Sequence, residues 1–276
     1  MLTSPFAVNG FLLNHFRVLA DYYAITLLVN TLEYPLSAKL DSRVQIVHLA
    51  IERKISPLRD LKVFWWLWKY FSSEKFELVH SMTPKAGLLA MLAAKLARTP
   101  CRMHTFTGQV WATRTGLWRY FLKYFDKVIV FAANHVFTDS HSQSDFLETE
   151  GVVKRGGARV AGPGSISGVD SCRFSPDEKV RINLRHELGI PLEAIVFILL
   201  GRITLEKGVL DLVRAFLPLA NLYQDAYLIV AGPDEGQLAE HIREEVGGCL
   251  ARLMLAPRVV ASERYLAAAD VLVLPS

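Results

Sequence analysis

Short apolar runs of strand length recur along the chain, separated by stretches with the three-to-four-residue apolar spacing of helices. Runs at Ile25–Asn30, Val44–Leu49, Leu78–Ser81, Met103–Thr107, His135–Ser140 and Arg159–Gly162 predict strands. Helical spacing or composition covers Phe11–Asp21, Leu58–Phe71, Ala86–Arg98, Leu117–Ala132 and Ser142–Gly151, with Gly151 at a C-cap position. Residues 162–178 are rich in Gly, Ser and Pro and carry no periodicity, which places a domain boundary there. A second series follows: strands Ile195–Gly201, Tyr227–Gly232, a short one near Val259 and Val271–Pro275, with helices Gly208–Leu222, Gly236–Val246 and Ser262–Ala268.

Repeated strand–helix alternation implies parallel sheets covered by helices. The fold class is therefore α/β, with two Rossmann-like, doubly wound parallel-sheet domains over residues 1–168 and 169–276. A doubly wound domain opens with a strand running into a ligand-facing turn. Met1–Asn9 reads as the tail of such a unit, with Gly10 leading into the first helix, and the chain stops at Ser276 directly after a strand.

Composition changes this picture little. The chain has 276 residues, 51% of them hydrophobic and 21% charged, which supplies a sizeable core and excludes disorder. Three scattered cysteines, Cys101, Cys172 and Cys249, give neither a disulfide framework nor zinc-ligand spacing. With no long uncharged apolar run and no secretory leader pattern, the expectation is a cytoplasmic protein.

Charge is more informative. Residues 53–127 hold 14 Lys and Arg against 4 Asp and Glu, together with all five tryptophans. Leu58–Tyr70 and Leu117–Lys127 are basic, aromatic helix candidates, the kind that meets lipid headgroups. The competing reading is a solvated basic face over a buried aromatic cluster.

The strongest chemical motif is Gly201-Arg202-Ile203-Thr204-Leu205-Glu206-Lys207-Gly208, which follows an apolar strand and opens a helix. Two cations beside free N–H groups and a helix dipole suit a diphosphate. No Asp-x-Asp pair closes a strand and no His/Cys cluster has ligand spacing, so neither metal nor other cofactor is expected.

GRITLEKG, with IVAGPDEG and AADVLVLPS after it, resembles the donor half of glycosyltransferase family 4, and GVDSCRFSPD resembles that family's linker. In the first half SPFAVNGFLLNH, VHSMTPKAGLLAMLAAKLAR and HTFTGQVWATR resemble the subgroup acting on undecaprenyl-diphosphate-linked sugars, such as N-acetylgalactosaminyltransferases. The resemblance implies a GT-B architecture, an acceptor-binding first domain and a donor-binding second one. It implies a nucleotide-sugar donor, UDP-linked, a polyprenyl-diphosphate-linked saccharide acceptor, retention of configuration, and peripheral contact with the inner face of an anionic membrane in surface-glycan or glycoprotein synthesis. Nucleic acid is not an expected partner.

By position, the resemblance makes Gly10 a close neighbour of the donor diphosphate and His104 the active-site histidine. It implies that Gly201, Arg202 and Lys207 hold the donor diphosphate and that Arg202 and Lys207 stabilise the departing charge. Lys85, Thr107, Gly108 and Gln109 are expected on the acceptor side. Family members continue past the Leu-Pro-Ser with a Glu-Gly-Phe-Gly run and a second Glu that hold sugar and ribose. The resemblance therefore implies a chain cut at both ends, chiefly the C-terminal one, with an incomplete second domain. Two alternatives remain: a non-catalytic fragment of such an enzyme, and a nucleotide-sugar epimerase on the same fold.

Overall fold

The computed structural model describes every residue except 33, 34, 53, 54, 247–250, 258, 260 and 276. The chain divides into two compact units, Met1–Gly168 and Val169–Ser276.

In the first unit helical residues 5–19 are α1 (Pro5–Ala7), a π-helical segment Val8–Leu12 and α2 (Leu13–Leu19). They start six residues before the predicted Phe11, because Ser4 caps the turn by accepting from the Phe6 N–H and Pro5 occupies the first turn. Then come β1 (Thr26–Val29), β2 (Gln45–His48), α3 (Pro57–Glu74), β3 (Leu78–Ser81), α4 (Pro84–Leu96), β4 (Cys101–Phe106), α5 (Gly116–Ala132), β5 (His135–Thr138), α6 (His141–Thr149) and β6 (Arg159–Val160). Strands β3-β4-β5-β6 form one parallel sheet in that order, and β1 and β2 pair in parallel separately. Between β1 and β3 stand the first residues: the Leu2 N–H donates to Leu28 O and the Met1 ammonium to His80 O.

The second unit holds α7 (Glu178–Glu187), β7 (Ile195–Leu200), a 3-10 turn Leu205–Lys207, α8 (Val209–Leu222), β8 (Ala226–Ala231), α9 (Ala239–Val246), β9 (Leu253–Ala256), α10 (Ser262–Ala268) and β10 (Val271–Leu272). Its parallel sheet runs β10-β7-β8-β9. Alternate residues serve opposite faces. Leu228 and Val230 pack with Val213 and Phe216 of α8, while Ile229 and Ala231 pack with Val196, Ile198 and Leu266 of α10. Burial on both faces explains why these strands read as unbroken apolar runs.

Two sequence expectations need correction here. The strand expected near Val259 lies earlier, at Leu253–Ala256, because Pro257 removes a ladder donor just after it. Helix α7 begins at Glu178, where the boundary segment was expected to end. Asp177 caps it, accepting from the Val180 N–H at 3.0 Å. This helix is polar, and the residue it buries deepest is Arg185, at 0% exposure.

Arg185 is held by a network. Its guanidinium donates to the carbonyls of Ala268 at 2.9 Å and Ala194 at 2.8 Å and pairs with Asp270 at 2.7 Å. Asp270 also pairs with Arg181 at 2.6 Å and accepts from the Val196 N–H at 2.7 Å. Burial pushes the Asp270 carboxyl up, but the Val196 N–H and the two arginines outweigh it and hold the carboxyl below its ordinary value. This cluster ties α7 and α10 to the start of β10.

Candidate functional site

In the second unit the chain leaves β7 toward β8 and β9 on one side and returns through α10 to β10 on the other. The carboxyl end of β7 is therefore a topological switch point, where open α/β sheets bind ligands. The motif Gly201–Gly208 occupies it. The Ile203 N–H donates to Pro233 O at 2.9 Å and the Gly236 N–H to Ile203 O at 3.0 Å, which fastens this turn to the one after β8. Gly232 permits that approach: at φ 141°, a side-chain carbon there would lie 1.9 Å from Gly201 O. Gly208, at φ 65°, closes the 3-10 turn and opens α8 against Pro275.

No side chain caps α8, so its first N–H groups stay available. Arg202 is exposed and shares an open 3.1 Å pair with Glu235. Lys207 is exposed and has no ion pair among the described residues. Between them the Thr204 Oγ1 is buried without a hydrogen-bond partner among the described residues. Two cations, a buried hydroxyl and an uncapped helix start thus belong to one turn, and a helix N-terminus favours anions. Around Gly201 there is open space, as there is around Gly10, which lies inside the π-helical segment rather than in a turn before a helix.

In the first unit strand register aligns the carboxyl ends of β3, β4 and β5: Ser81 stands opposite His104, and Phe106 opposite Thr138. His104 is 1% exposed. Its Nδ1 bonds Ser81 Oγ at 2.8 Å, and its ring lies against Gly87 of α4, where a side-chain carbon would come within 2.5 Å. Burial, with His80 and the N-terminal ammonium adding to it, lowers the His104 pKa to about 3, so the ring is neutral. His80, lowered to about 3 chiefly by burial, bonds Thr105 Oγ1 at 2.9 Å. His104, expected as the active-site histidine, is thus buried at the carboxyl end of β4 between Ser81 and Gly87. Lys85, in the first turn of α4, pairs with Asp60 at 2.6 Å.

Thr107, Gly108 and Gln109 begin the loop after β4. Thr107 Oγ1 donates to Met82 O at 3.3 Å, Gly108 takes φ 139°, and Gln109 reaches toward Gln143 of α6. The anchor of this loop is Trp111, one of the five tryptophans of the basic window 53–127. It is 0% exposed. Its Nε1–H donates to Asp126 Oδ2 at 2.7 Å, its ring stacks on Phe146, and Arg119 and Lys123 lie over it while sharing Glu150.

Among the described residues Asp126 has no cationic partner, and burial raises its carboxyl from 3.8 to about 6, against the Trp111 bond that lowers it. A folded-state pKa above the unfolded one means that the contribution of this group to stability is fullest below pH 3.8 and is lost as pH rises to about 6. Asp126→Asn keeps the acceptor and removes the charge. The expected result is a variant more stable than the native chain at pH 7 by roughly 2 kcal/mol, with the gain vanishing at pH 4, read from paired melting curves. An equal gain at both pH values would contradict it.

Among the described residues no group of three or more His, Cys, Asp or Glu side chains is placed to hold a metal ion. No described helix is long and apolar enough to cross a membrane.

Known proteins place this arrangement. A capsular polysaccharide biosynthesis glycosyltransferase, CapM of Staphylococcus aureus, is 30% identical over 190 residues, covering 68% of this chain and 49% of its own length. The UDP-Gal:α-D-GlcNAc-diphosphoundecaprenol α-1,3-galactosyltransferase of Escherichia coli is 27% identical over 258 residues, covering 88% of this chain and 63% of its own. This chain thus spans about half to under two thirds of these relatives' lengths. The crystal structure of Anabaena HepE with UDP-glucose superimposes with a TM-score of 0.72 at 18% identity, over 100% of this chain and 72% of that one, so the GT-B fold is shared. The profile of the glycosyl transferase 4-like domain matches residues 20–164, just over half of the sequence, and the chain belongs to that family.

Proposed function

We propose that the protein is a retaining hexosyltransferase that moves a sugar from a UDP-linked donor to a polyprenyl-diphosphate-linked saccharide. The observation that carries this reading is the β7–α8 turn, which holds Arg202, Lys207, the unpaired Thr204 hydroxyl and the uncapped start of α8 within one short segment. The relatives' named activities support it: one is a capsular polysaccharide glycosyltransferase, the other uses a UDP-sugar and a diphosphoundecaprenol acceptor.

In this mechanism the second unit holds the diphosphate and the first binds the acceptor through the loop after β4. As the glycosidic bond breaks, negative charge grows on the leaving phosphate, and preset cations and N–H dipoles stabilise it most at that moment. The leaving phosphate takes the acceptor hydroxyl's proton on the same face, which retains configuration. His104 acts by holding the end of β4 in place. Lys85 meets an acceptor phosphate in competition with Asp60.

Calorimetric titration with UDP, UMP and uridine tests the assignment. UDP should bind at least about 30-fold more tightly than uridine, from two charge-assisted contacts. Equal affinity for all three would remove the diphosphate site.

Membrane contact belongs to the same proposal. On α5, Leu117 is 87% and Trp118 64% exposed, and Tyr120, Phe121 and Tyr124 are also exposed; on α3, Leu58, Leu61, Trp65 and Trp66 are exposed among Arg59, Lys62 and Lys69. Such patches suit an anionic interface. Cosedimentation with vesicles containing phosphatidylglycerol should be strong, weakened by about 0.5 M salt through screening, and reduced by Trp118→Ser with Phe121→Ser. Binding that ignores lipid charge would contradict it.

A further inference from the structure

At the carboxyl edge of the first unit's sheet, three loops meet around Asp139, the residue that follows β5. Gln109 comes from the loop after β4. Gln143, in the first turn of α6, bridges the two: its Oε1 accepts from the Asp139 N–H at 2.8 Å, and its Nε2 faces Gln109 Oε1 at 3.4 Å. From the loop after β6, the Ser165 N–H donates to Asp139 O at 2.6 Å. Gly164 is pressed so close that a side-chain carbon there would lie 2.5 Å from the same oxygen, and Ser165 itself takes φ 69°. The backbone of Asp139 is thus fixed from two sides.

Its side chain is not. Asp139 Oδ1 and Gln109 Nε2 are both buried, and neither has a hydrogen-bond partner among the described residues. Burial raises the Asp139 carboxyl above its ordinary value. One atom is an acceptor and the other a donor, and Gln143 links their residues, holding the Asp139 backbone N–H and facing the Gln109 side chain. Leaving such atoms unpaired is costly, so a matching group is expected to satisfy them. A hydroxyl is the one common ligand group that donates and accepts through a single atom. Gln109 is half-exposed, and a turn about its own side-chain bonds gives up only the 3.4 Å contact.

We infer that Gln109 and Asp139, braced by Gln143, form a hydroxyl-reading pair for the saccharide of the acceptor, with Asp139 accepting from the sugar O–H and Gln109 donating to it. The inference rests on the proposal that the first unit binds the acceptor, and it adds the residues that select the sugar. Asp139 and Gln143 are not assigned by the motif resemblance, and the pairing is invisible without the fold.

The test uses the whole 276-residue chain and measures binding rather than turnover. The probes are decyl diphosphate and the decyl diphosphates of glucose, galactose, N-acetylglucosamine and N-acetylgalactosamine, titrated calorimetrically. For the sugar that binds best, its 3-, 4- and 6-deoxy analogues follow. The native chain should bind that sugar diphosphate more tightly than decyl diphosphate, and one deoxy analogue should lose on the order of 10- to 100-fold. Asp139→Ala and Gln109→Ala should lose a similar factor for the parent sugar, bind that deoxy analogue no worse than the parent, and leave decyl diphosphate unchanged. Asp139→Asn, nearly isosteric, should fall between, and melting curves separate a folding defect from lost recognition. If the native chain prefers the sugar but both alanine variants bind it equally well, a resident water satisfies the pair and this inference falls while the acceptor assignment stands. If the native chain binds no sugar diphosphate better than decyl diphosphate, both fall.

Discussion

Asp270→Asn should destabilise the second unit by about 3–5 kcal/mol, the cost of stranding a buried charge by removing its partner. Arg185 is 0% exposed, and Asp270 is its only carboxylate partner among the described residues. The carbonyls of Ala268 and Ala194 satisfy its hydrogen bonds but not its charge. Arg181 would lose its pair too, but it reaches solvent, so little of the cost falls there. The pH dependence gives a second readout. Because the Asp270 carboxyl is held below its ordinary 3.8, its contribution is complete above that pH and is lost as pH falls further. Chemical denaturation at pH 7 should show the full loss, and the difference between native and variant chains should shrink toward pH 3. A variant as stable as the native chain at pH 7 would mean that Arg185 is solvated or paired elsewhere.

Arg202→Ala and Lys207→Ala should each lower kcat/KM for sugar transfer by about 100-fold or more, the usual cost of removing a donor that meets developing charge. Arg202 starts from an exposed pair with Glu235, so the diphosphate replaces one partner with a stronger one. Glu235→Gln should therefore leave donor affinity unchanged or raise it, a control that separates a diphosphate role for Arg202 from a structural one. Lys207 needs no exchange. Steady-state kinetics at varied donor concentration would measure both. If neither alanine variant changes kcat/KM by more than a few-fold, the anion site lies elsewhere.

What the sequence shows of this fold follows from how each segment is buried. Strands β7 and β8 are covered on both faces by α8 and α10, and their unbroken apolar runs announce that directly. Helix α7 escapes because its deepest residue is an arginine, and hydropathy reads every arginine as exposed. Only Asp177 before a polar helix, with Gly189 after it, marks its ends, and both sit beside a stretch that reads as linker. The π-helical segment Val8–Leu12 leaves no pattern of its own.

For the site, the local motif carries Arg202, Lys207 and the turn that holds them, because all its parts lie within eight consecutive residues. The first unit differs. Period-two alternation puts His104 on a strand but cannot say which face looks inward, and Gly87, the residue it packs against, lies 17 positions away. Trp111 and Asp126, and Gln109 with Gln143, meet only through the fold. Composition grouped five tryptophans together, yet Trp111 is core while Trp118 is surface.

The most direct test of the account is the fate of the sugar. The protein is supplied with UDP-hexoses and a decyl-diphosphate saccharide, and products are resolved by mass spectrometry and NMR. The account predicts release of UDP together with an acceptor lengthened by one hexose, its new linkage keeping the donor's anomeric configuration. An unextended acceptor with the UDP-sugar converted to its epimer, or an extended one with inverted configuration, would contradict it.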